Sequence, residues 1–441
     1  SYYYKQQINC IKRTIMGKIY DKAKWILPQG FAYDNGSFWA AKSLSDNAKT
    51  VFTRNSASYR RTDCGELAPI ALDTPRIDYV DGKPRMAIDM EQTNYLRESI
   101  GSGSNWATQS GVTATANHTV SPEGKINATK ISWTTNDNQH FQYINTSFVS
   151  GKTFCFSGWF KNISGENTVK FTLYQAGWNG VEITQSSDET VSLSSIGSTI
   201  AYESEYYGNG WHRVWFTLAA NSASAKEFNI NRAGLSGTSE WLIWGMMASS
   251  GTYNSDGAAL MSYVPTTSSA ATVQRDFHNL GSMSETISFA EGEDFAFYWH
   301  GTFGYPGANY GSDTKLESML AGGGYYTAGA DYKSYIWIRP GGLLRVTGYN
   351  EVKLADSNTG VVIGNGSEYK IAISRSGGVV KAFINGSEIT MNNTSDSNIA
   401  FTFRSFGWAY SSFYHTRGSV YEGIIFDQKL TNEEMQTLTT L

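Results

Sequence analysis

The residues with chemical potential in this 441-residue sequence are flat rings set beside amides and charges in glycine-rich stretches. YQAGWNGVE puts Trp178 next to Asn179. GTFGYPGANYGSD carries Tyr305, Asn309, Tyr310 and Asp313, and GGGYYTAGADY carries Tyr325, Tyr326 and Asp331. RSFGWAYSSFYHTRG adds Trp408, Tyr410, Tyr414, His415 and Arg417. A ring on a loop has little core reason to be there. An exposed aromatic plate beside planar hydrogen-bonding groups matches a pyranose, with its apolar C–H face and its rim of hydroxyls. The alternatives are local packing for Trp178 and burial between protomers for the later rings.

Catalytic devices are harder to find. In EGEDF, Glu291 and Glu293 alternate, but Gly292 separates them at a strand entrance, where acids mark a solvated end. Paired glycosidase carboxylates need a fixed separation across a cleft. The six histidines show no metal-ligand spacing. His212 reads as a half-buried strand residue; His300 and His415 are the two that would face a groove as a base. GSGSNW lacks the last glycine of a dinucleotide fingerprint. No catalytic residue, enzyme activity or cofactor is therefore expected, and Asp313 and Asp331 are the carboxylates that Ca²⁺ would use.

Composition sets the elements that must hold these rings. Charged residues are 17% and aromatics 14%, with 44 glycines, the profile of a strand-rich, turn-rich chain and not of a helical enzyme. Net charge is −4 and the pI near 5.9, which argues against a nucleic-acid partner. No apolar run reaches the ~20 residues that cross a bilayer, and SYYYKQQINC has no apolar signal region. Cys10, Cys64 and Cys155 are too few and too scattered for a disulfide framework and read as reduced thiols made in a cytoplasm.

Alternation with period two marks the strands. KTFCFSGWFKN puts Phe154, Phe156, Gly158 and Phe160 on one face; TVKFTLYQAG groups Val169, Phe171 and Leu173; HRVWFTLAA and WLIWGMMAS complete a first set. FAFYWHGTF, SYIWIRPG, LLRVTGYN, EYKIAISRSG, VVKAFING and VYEGIIFDQKL form a second. Asp81-Gly82 and Asn385-Gly386 are hairpin turn signals. Thr431 with Glu434 three residues on predicts a capped terminal helix. The fold class is all-β, an N-terminal β-rich adaptor followed by two jelly-roll-type β-sandwiches. The expected divisions are a basic arm (1–24), with Lys5, Lys12, Arg13, Lys18, Lys22 and Lys24 against Asp21, an adaptor (25–96), and sandwiches at 97–272 and 273–441. Residues 97–104 read as a loop or linker. In the stretch 73–96, Ile77, Tyr79, Met86 and Ile88 would pin short strands down while the charges face a partner.

Three stretches carry a family resemblance. FTRNSASYRRTDCGEL followed by DTPRIDYVDGKPRMAIDMEQTNYL resembles a segment of tailed-bacteriophage virion proteins, here with Tyr95 inserted in the closing motif. SPEGKINATKIS, GWHRVWFTL and LIWGMMAS are similar to a carbohydrate-binding-module-like domain, and GSVYEGIIFDQKLTNEEMQTL to the end of a concanavalin-A/laminin-G-like lectin domain. The resemblance implies a virion fibre or receptor-binding protein, made in the host cytoplasm and homotrimeric. It would bind bacterial surface polysaccharide and meet other virion proteins through residues 1–96. A polysaccharide depolymerase and a purely structural capsid or tail decoration are the alternatives.

Overall fold

The computed structural model describes residues 19, 22–27, 32–34, 37–39, 49–54, 56–62, 64–72, 76–80, 83–88, 92–134, 138–144, 153–220, 226–232, 237–251, 262–273, 277–279, 287–303, 318–323, 334–339, 342–348, 352–360, 367–395, 398–403, 405–406, 408–409, 414–415 and 418–440. They form the all-β, sandwich-built protein that the alternation predicts.

In the first sandwich, a six-stranded sheet runs in the order Trp106–Thr108, Gln139–Ile144, Lys226–Arg232, Thr168–Tyr174, Trp178–Gln185 and Val191–Ile196. Its partner sheet runs Val112–Val120, Ile126–Trp133, Ser239–Gly251, Thr153–Gly165, His212–Ala219 and Ala201–Tyr206, with Gln92–Asn94 and Ala271–Val273 added at one end. Phe154, Phe156 and Phe160 meet Val169, Phe171 and Leu173 between the sheets. Gly158 belongs to that face too, because any Cβ there would strike the Met246 sulfur. Burying rings of this size contributes roughly 1.5–3 kcal/mol each.

The partner sheet is buried on its outer face as well. There Trp159 packs edge-on against Trp244, Tyr263 and Tyr207, at 5.3, 5.6 and 5.4 Å between ring centroids. The buried Arg213 guanidinium lies 4.5 Å from the Trp159 ring. The hairpin Ser58–Arg61/Leu67–Ile70 covers this layer, with Leu67 in it and the Tyr59 ring 5.1 Å from Tyr263. Residues 97–104 are a packed loop: Ser99 shares a 2.7 Å hydrogen bond with the Tyr263 hydroxyl, and its carbonyl accepts from Met246 N at 2.6 Å.

The second sandwich draws on both ends of the chain. One sheet is ordered Ser387–Ile389, Val379–Ile384, Glu368–Ser376, Phe295–Phe303, Gly418–Phe426, Lys83–Ile88 and Ile77–Val80, and Ala23–Leu27 also pairs with Gly418–Phe426. Opposite it are Ala32–Asp34, Ser37–Trp39, Lys49–Thr53, Phe277–Asn279, Ser405–Phe406, Ser318–Gly323, Ser334–Ile338, Leu343–Thr347, Lys353–Gly360 and Met391–Asn393. Phe295, Phe297, Trp299, Ile371 and Ile373 meet Leu320, Ile336, Ile338, Leu344 and Val346 in the core. The first sandwich is thus an insertion between Lys83–Ile88 and Phe277–Asn279 of the second.

Residues 25–96 contribute strands to both bodies. The physical reason lies in their alternation. Ile77 and Met86 form one apolar face, which is buried only by joining the larger sheet, and they enter its core with Tyr79 packed against them. Charged Asp78 and Arg85, directly opposite each other, take the other face. Arg61 N donates to Asp78 Oδ1 at 2.9 Å, while its guanidinium reaches Glu205 Oε1 (2.8 Å) and Tyr206 O (2.6 Å) on the first sandwich. Burial opposes the charge on Arg85, yet Asp78, Tyr421 and Glu205 outweigh it and hold the guanidinium above its ordinary pKa. Val80 pairs with Lys83 across a two-residue connection whose Asp81 and Gly82 lie outside the described residues. Asn385 and Gly386, at φ 48° and 81°, make the other predicted turn.

The final helix, Asn432–Thr439, has the predicted capping box: Glu434 N donates to Thr431 Oγ1 (3.2 Å) and Thr431 N to Glu434 Oε2 (2.9 Å). Met435 and Leu438 seal the outer face of the second sandwich against Tyr298, Phe383, Ile424 and Phe426.

Candidate ligand-binding face

One large sheet face in the first sandwich has no strand layer of described residues over it: the outer side of the six-stranded sheet. Side chains alternate in and out along each strand, so the inward set Val169, Phe171, Leu173, Val181, Ile183, Phe228 and Ile230 fixes the outward set. Strand register arranges that outward set in rows. Tyr143, Glu227, Tyr174 and Trp178 form the first. Phe141, Asn229, Thr172 and Gly180 form the second, and Gln139, Asn231, Lys170 and Glu182 the third. Three inter-strand steps make each row about 14 Å long.

Rings stand at both ends and polar groups in the middle. Phe141 and Tyr143 pack edge-on at 5.3 Å, and Tyr174 and Trp178 tilt together at 4.9 Å. Tyr143, Tyr174 and Trp178 are all exposed. Between the two pairs, Thr172 and Asn229 are fully buried, each at 0% exposure. The Asn229 amide nitrogen donates to Gln139 Oε1 at 2.7 Å and to Glu227 Oε1 at 2.8 Å. Among the described residues, Thr172 Oγ1, Asn229 Oδ1 and Asn231 Oδ1 are closed to solvent and meet no hydrogen-bonding side chain or backbone group.

Local structure explains the geometry. The turn Gln175-Ala176-Gly177 joins Thr168–Tyr174 to Trp178–Gln185, with Ala176 at φ 52° and Gly177 at φ 133°. Gln175 Nε2 ties it to Ala219 O at 2.8 Å. Gly180, at φ 153°, leaves the middle row without a side chain; a Cβ would meet the Phe171 carbonyl oxygen at 2.2 Å. Behind the face, His140 stacks on Trp106 at 4.6 Å and shares a 2.7 Å hydrogen bond with Gly101 O. Since the carbonyl only accepts, Nε2 carries the proton. Burial pushes the His140 pKa down to about 4, against a smaller opposing effect of that bond.

Of the sequence candidates, Trp178 lies on this face, opening a strand rather than standing in a loop. Asn179, the next residue, is buried on the other side; it donates to Gly177 O (2.9 Å) and accepts from Ser198 N (2.8 Å). Trp408–Ala409 and Tyr414–His415 pair as a short hairpin, with Trp408 opposite His415 and Ala409 opposite Tyr414. Tyr305, Tyr310, Tyr325, Tyr326, Tyr410 and Arg417, with Asn309, Asp313 and Asp331, lie outside the described residues. Phe141, Tyr143, Thr172, Asn229 and Asn231 were missed. The signal for all but Thr172 was present in QHFQYI and KEFNINR, where rings or amides alternate with core residues.

The other chemical candidates have structural partners. Glu293 accepts from Ala290 N at 2.7 Å, Asp294 accepts from the Ser376 hydroxyl at 3.0 Å, and the buried Arg375 guanidinium donates to Glu293 O at 2.7 Å. His212 shares a 2.6 Å hydrogen bond with Glu189 O. His300 meets Glu368 Oε1 at 2.6 Å, with its ring 4.9 Å from that of Tyr421. Among the described residues, no three His, Cys, Asp or Glu side chains gather to hold a metal, and no helix is long and apolar enough to cross a membrane. Cys155 is buried, which pushes its thiol up to about 12 despite Arg213 nearby, and Cys64 is exposed.

No protein-family model and no curated protein matches this sequence. Solved structures do resemble it. The CBM40 of Ruminococcus gnavus IT-sialidase, bound to α2,3 sialyllactose, is 15% identical, covering 36% of this chain and 100% of that one at a TM-score of 0.27. Domain 4 of a GH43 extracellular arabinanase from Geobacillus stearothermophilus, in complex with arabinotriose, is 16% identical over 42% of this chain and 82% of that one, at 0.29. A CBM22 tandem from Paenibacillus barcinonensis is 11% identical over 78% and 98%, at 0.25.

Proposed function

We propose that this chain is a glycan-binding protein that holds a saccharide, without cleaving it, on the outer face of the six-stranded sheet. The carrying observation is the set of exposed rings, Tyr143 at one end of this face and Tyr174 with Trp178 at the other, with polar side chains between them. Sugar C–H faces rest on Trp178, Tyr174 and Tyr143, while hydroxyls meet the part-exposed polar side chains between and beside them, Glu227, Gln139 and Lys170. Affinity at one such site is modest, and an oligomer raises it through effective concentration.

The resemblance of residues 52–96 to phage virion proteins supports a setting: a trimeric virion fibre or receptor-binding protein directed at bacterial surface polysaccharide. The contact to other virion proteins runs through residues 1–96, within which Lys22, Arg61 and Asp78 also bond inside the chain. The test incubates the purified protein with capsule or lipopolysaccharide from a bacterial panel and measures retention and product formation. Retention that falls at least about tenfold in Trp178→Ala, with no new reducing ends or unsaturated uronate, is expected. Turnover abolished by Glu293→Gln or His415→Ala would overturn the non-cleaving reading.

A further inference from the structure

A recess of about 360 Å³ opens on the outer side of the partner sheet, where the hairpin Ser58–Arg61/Leu67–Ile70 meets the first sandwich. That is the size of a small-ligand pocket. Buried Trp211 and Leu242 are its floor, and Val120 stands at one side. Cys64, Glu66, Thr119, Lys161 and Asn209, all at least partly exposed, form the rim. Backbone bonds hold these separate segments together. Leu67 N donates to Pro122 O at 2.7 Å, and Tyr207 N to Trp211 O at 2.8 Å across a turn whose Asn209 and Gly210 take φ 51° and 74°. Gly65, at φ 84°, brings the hairpin tip so close that a Cβ would lie 3.3 Å from Tyr207 O. The Lys161 ammonium donates to the Asn209 carbonyl. The recess is therefore formed before any ligand arrives.

Trp211 is 5% exposed. Among the described residues its indole N–H meets no hydrogen-bonding group, yet it is not sealed from solvent as the N–H groups of Trp159 and Trp244 in the same layer are. A nearly buried donor thus stays reachable at the floor of the recess. We infer that this recess is a second saccharide site, which takes a single sugar ring, either a chain end or a free monosaccharide. Its rim carries hydrogen-bonding groups of both kinds. Glu66 accepts, the Lys161 ammonium has two further N–H groups to give, and Asn209 and Thr119 do both. Hydroxyls match such a mixed rim, while a C–H edge rests on Trp211, Leu242 and Val120. One lysine faces one glutamate, so the rim has no net charge with which to favour a phosphate. Walls from several segments stop a chain from passing through, whereas the outer face of the six-stranded sheet is open at both ends. The recess shares no residue with that face, and the two sites stand or fall separately.

Cys64 reports on the recess, because its thiol is exposed at the rim while Cys155 is buried. The full-length protein is alkylated with N-ethylmaleimide, and the rate at Cys64 is read by peptide mass. The additions are methyl glycosides of hexoses, 6-deoxyhexoses and N-acetylhexosamines, their disaccharides, and glycerol as a control. At least one sugar should slow Cys64 alkylation by about threefold or more, in a saturable way, while glycerol at equal concentration should not. Val120→Trp, which fills the recess, should abolish that protection. Glu66→Gln and Trp211→Phe, which keep the shape and remove one hydrogen-bonding feature each, should weaken it several-fold. Trp178→Ala should leave it unchanged, and melting curves confirm that each variant folds. Protection by none of the sugars, or by glycerol equally, overturns the recess as a saccharide site. Protection that survives Val120→Trp and is lost in Trp178→Ala also overturns it, and leaves the sheet-face reading standing.

Discussion

His140 shows how a single buried group ties the sheet face to solution conditions. Its pKa falls from 6.5 in an ordinary setting to about 4 here, mainly by burial. The unfolded chain therefore takes up a proton that the folded one refuses. Stability is fully present above pH 6.5 and is lost as pH drops toward 4, on the order of 3 kcal/mol if no rearrangement intervenes. Denaturant midpoints measured from pH 7.5 to 4 should fall across that window, and a His140→Gln variant should flatten the slope there. Gly180 is the second residue with a clear sign. Its φ of 153° and the 2.2 Å approach of Phe171 O leave no room for a methyl group, so Gly180→Ala should cost about 2 kcal/mol in unfolding experiments. The residues around it were only partly legible. Trp178 stood out because Gly177 precedes it and Asn179-Gly180 follows. Thr172, Asn229 and Asn231 did not, because the polar side of an amphipathic strand ordinarily meets water, and local sequence does not say which polar side is closed in.

At the level of the element, alternation was a reliable guide because each sheet has a core face. FAFYWHGTF, SYIWI and EYKIAISRS became strands whose apolar residues meet in one core. The terminal helix was equally readable, since both halves of its capping box lie within four residues. Thr431→Ala removes the acceptor for Glu434 N and should lower stability by about 1 kcal/mol, measurable by thermal melting. Pairing partners were not readable. Nothing in AKWIL announces that it will lie against GSVYEGIIF, and nothing in QTN announces SSG, because register and partner are set by cores that form only in three dimensions.

Across the whole molecule, the stretch 73–96 is a join between the two sandwiches. Ile77 and Met86 anchor it in one core, and Asn94 and Leu96 hold it to the other. Arg61 bridges the bodies through Asp78, Glu205 and Tyr206, and its guanidinium also lies 4.4 Å from the Tyr207 ring. Arg61→Ala removes the guanidinium contacts with Glu205, Tyr206 and the Tyr207 ring but keeps the backbone bond to Asp78, and should lower stability by about 2 kcal/mol in denaturant titrations, whereas Arg61→Lys should keep part of it.

The strand Ala23–Leu27 lies beside Gly418–Phe426, about 400 residues away along the chain. During synthesis, Ala23–Leu27 must wait for Gly418–Phe426 to emerge, while the inserted sandwich already holds all of its own partners. Pulsed hydrogen exchange during refolding should therefore show amides of Thr153–Gly165 and Ser239–Gly251 protected well before those of Ala23–Leu27. Nesting one body inside another makes the middle of this polypeptide its oldest part, in folding time, and its two ends the last to be finished.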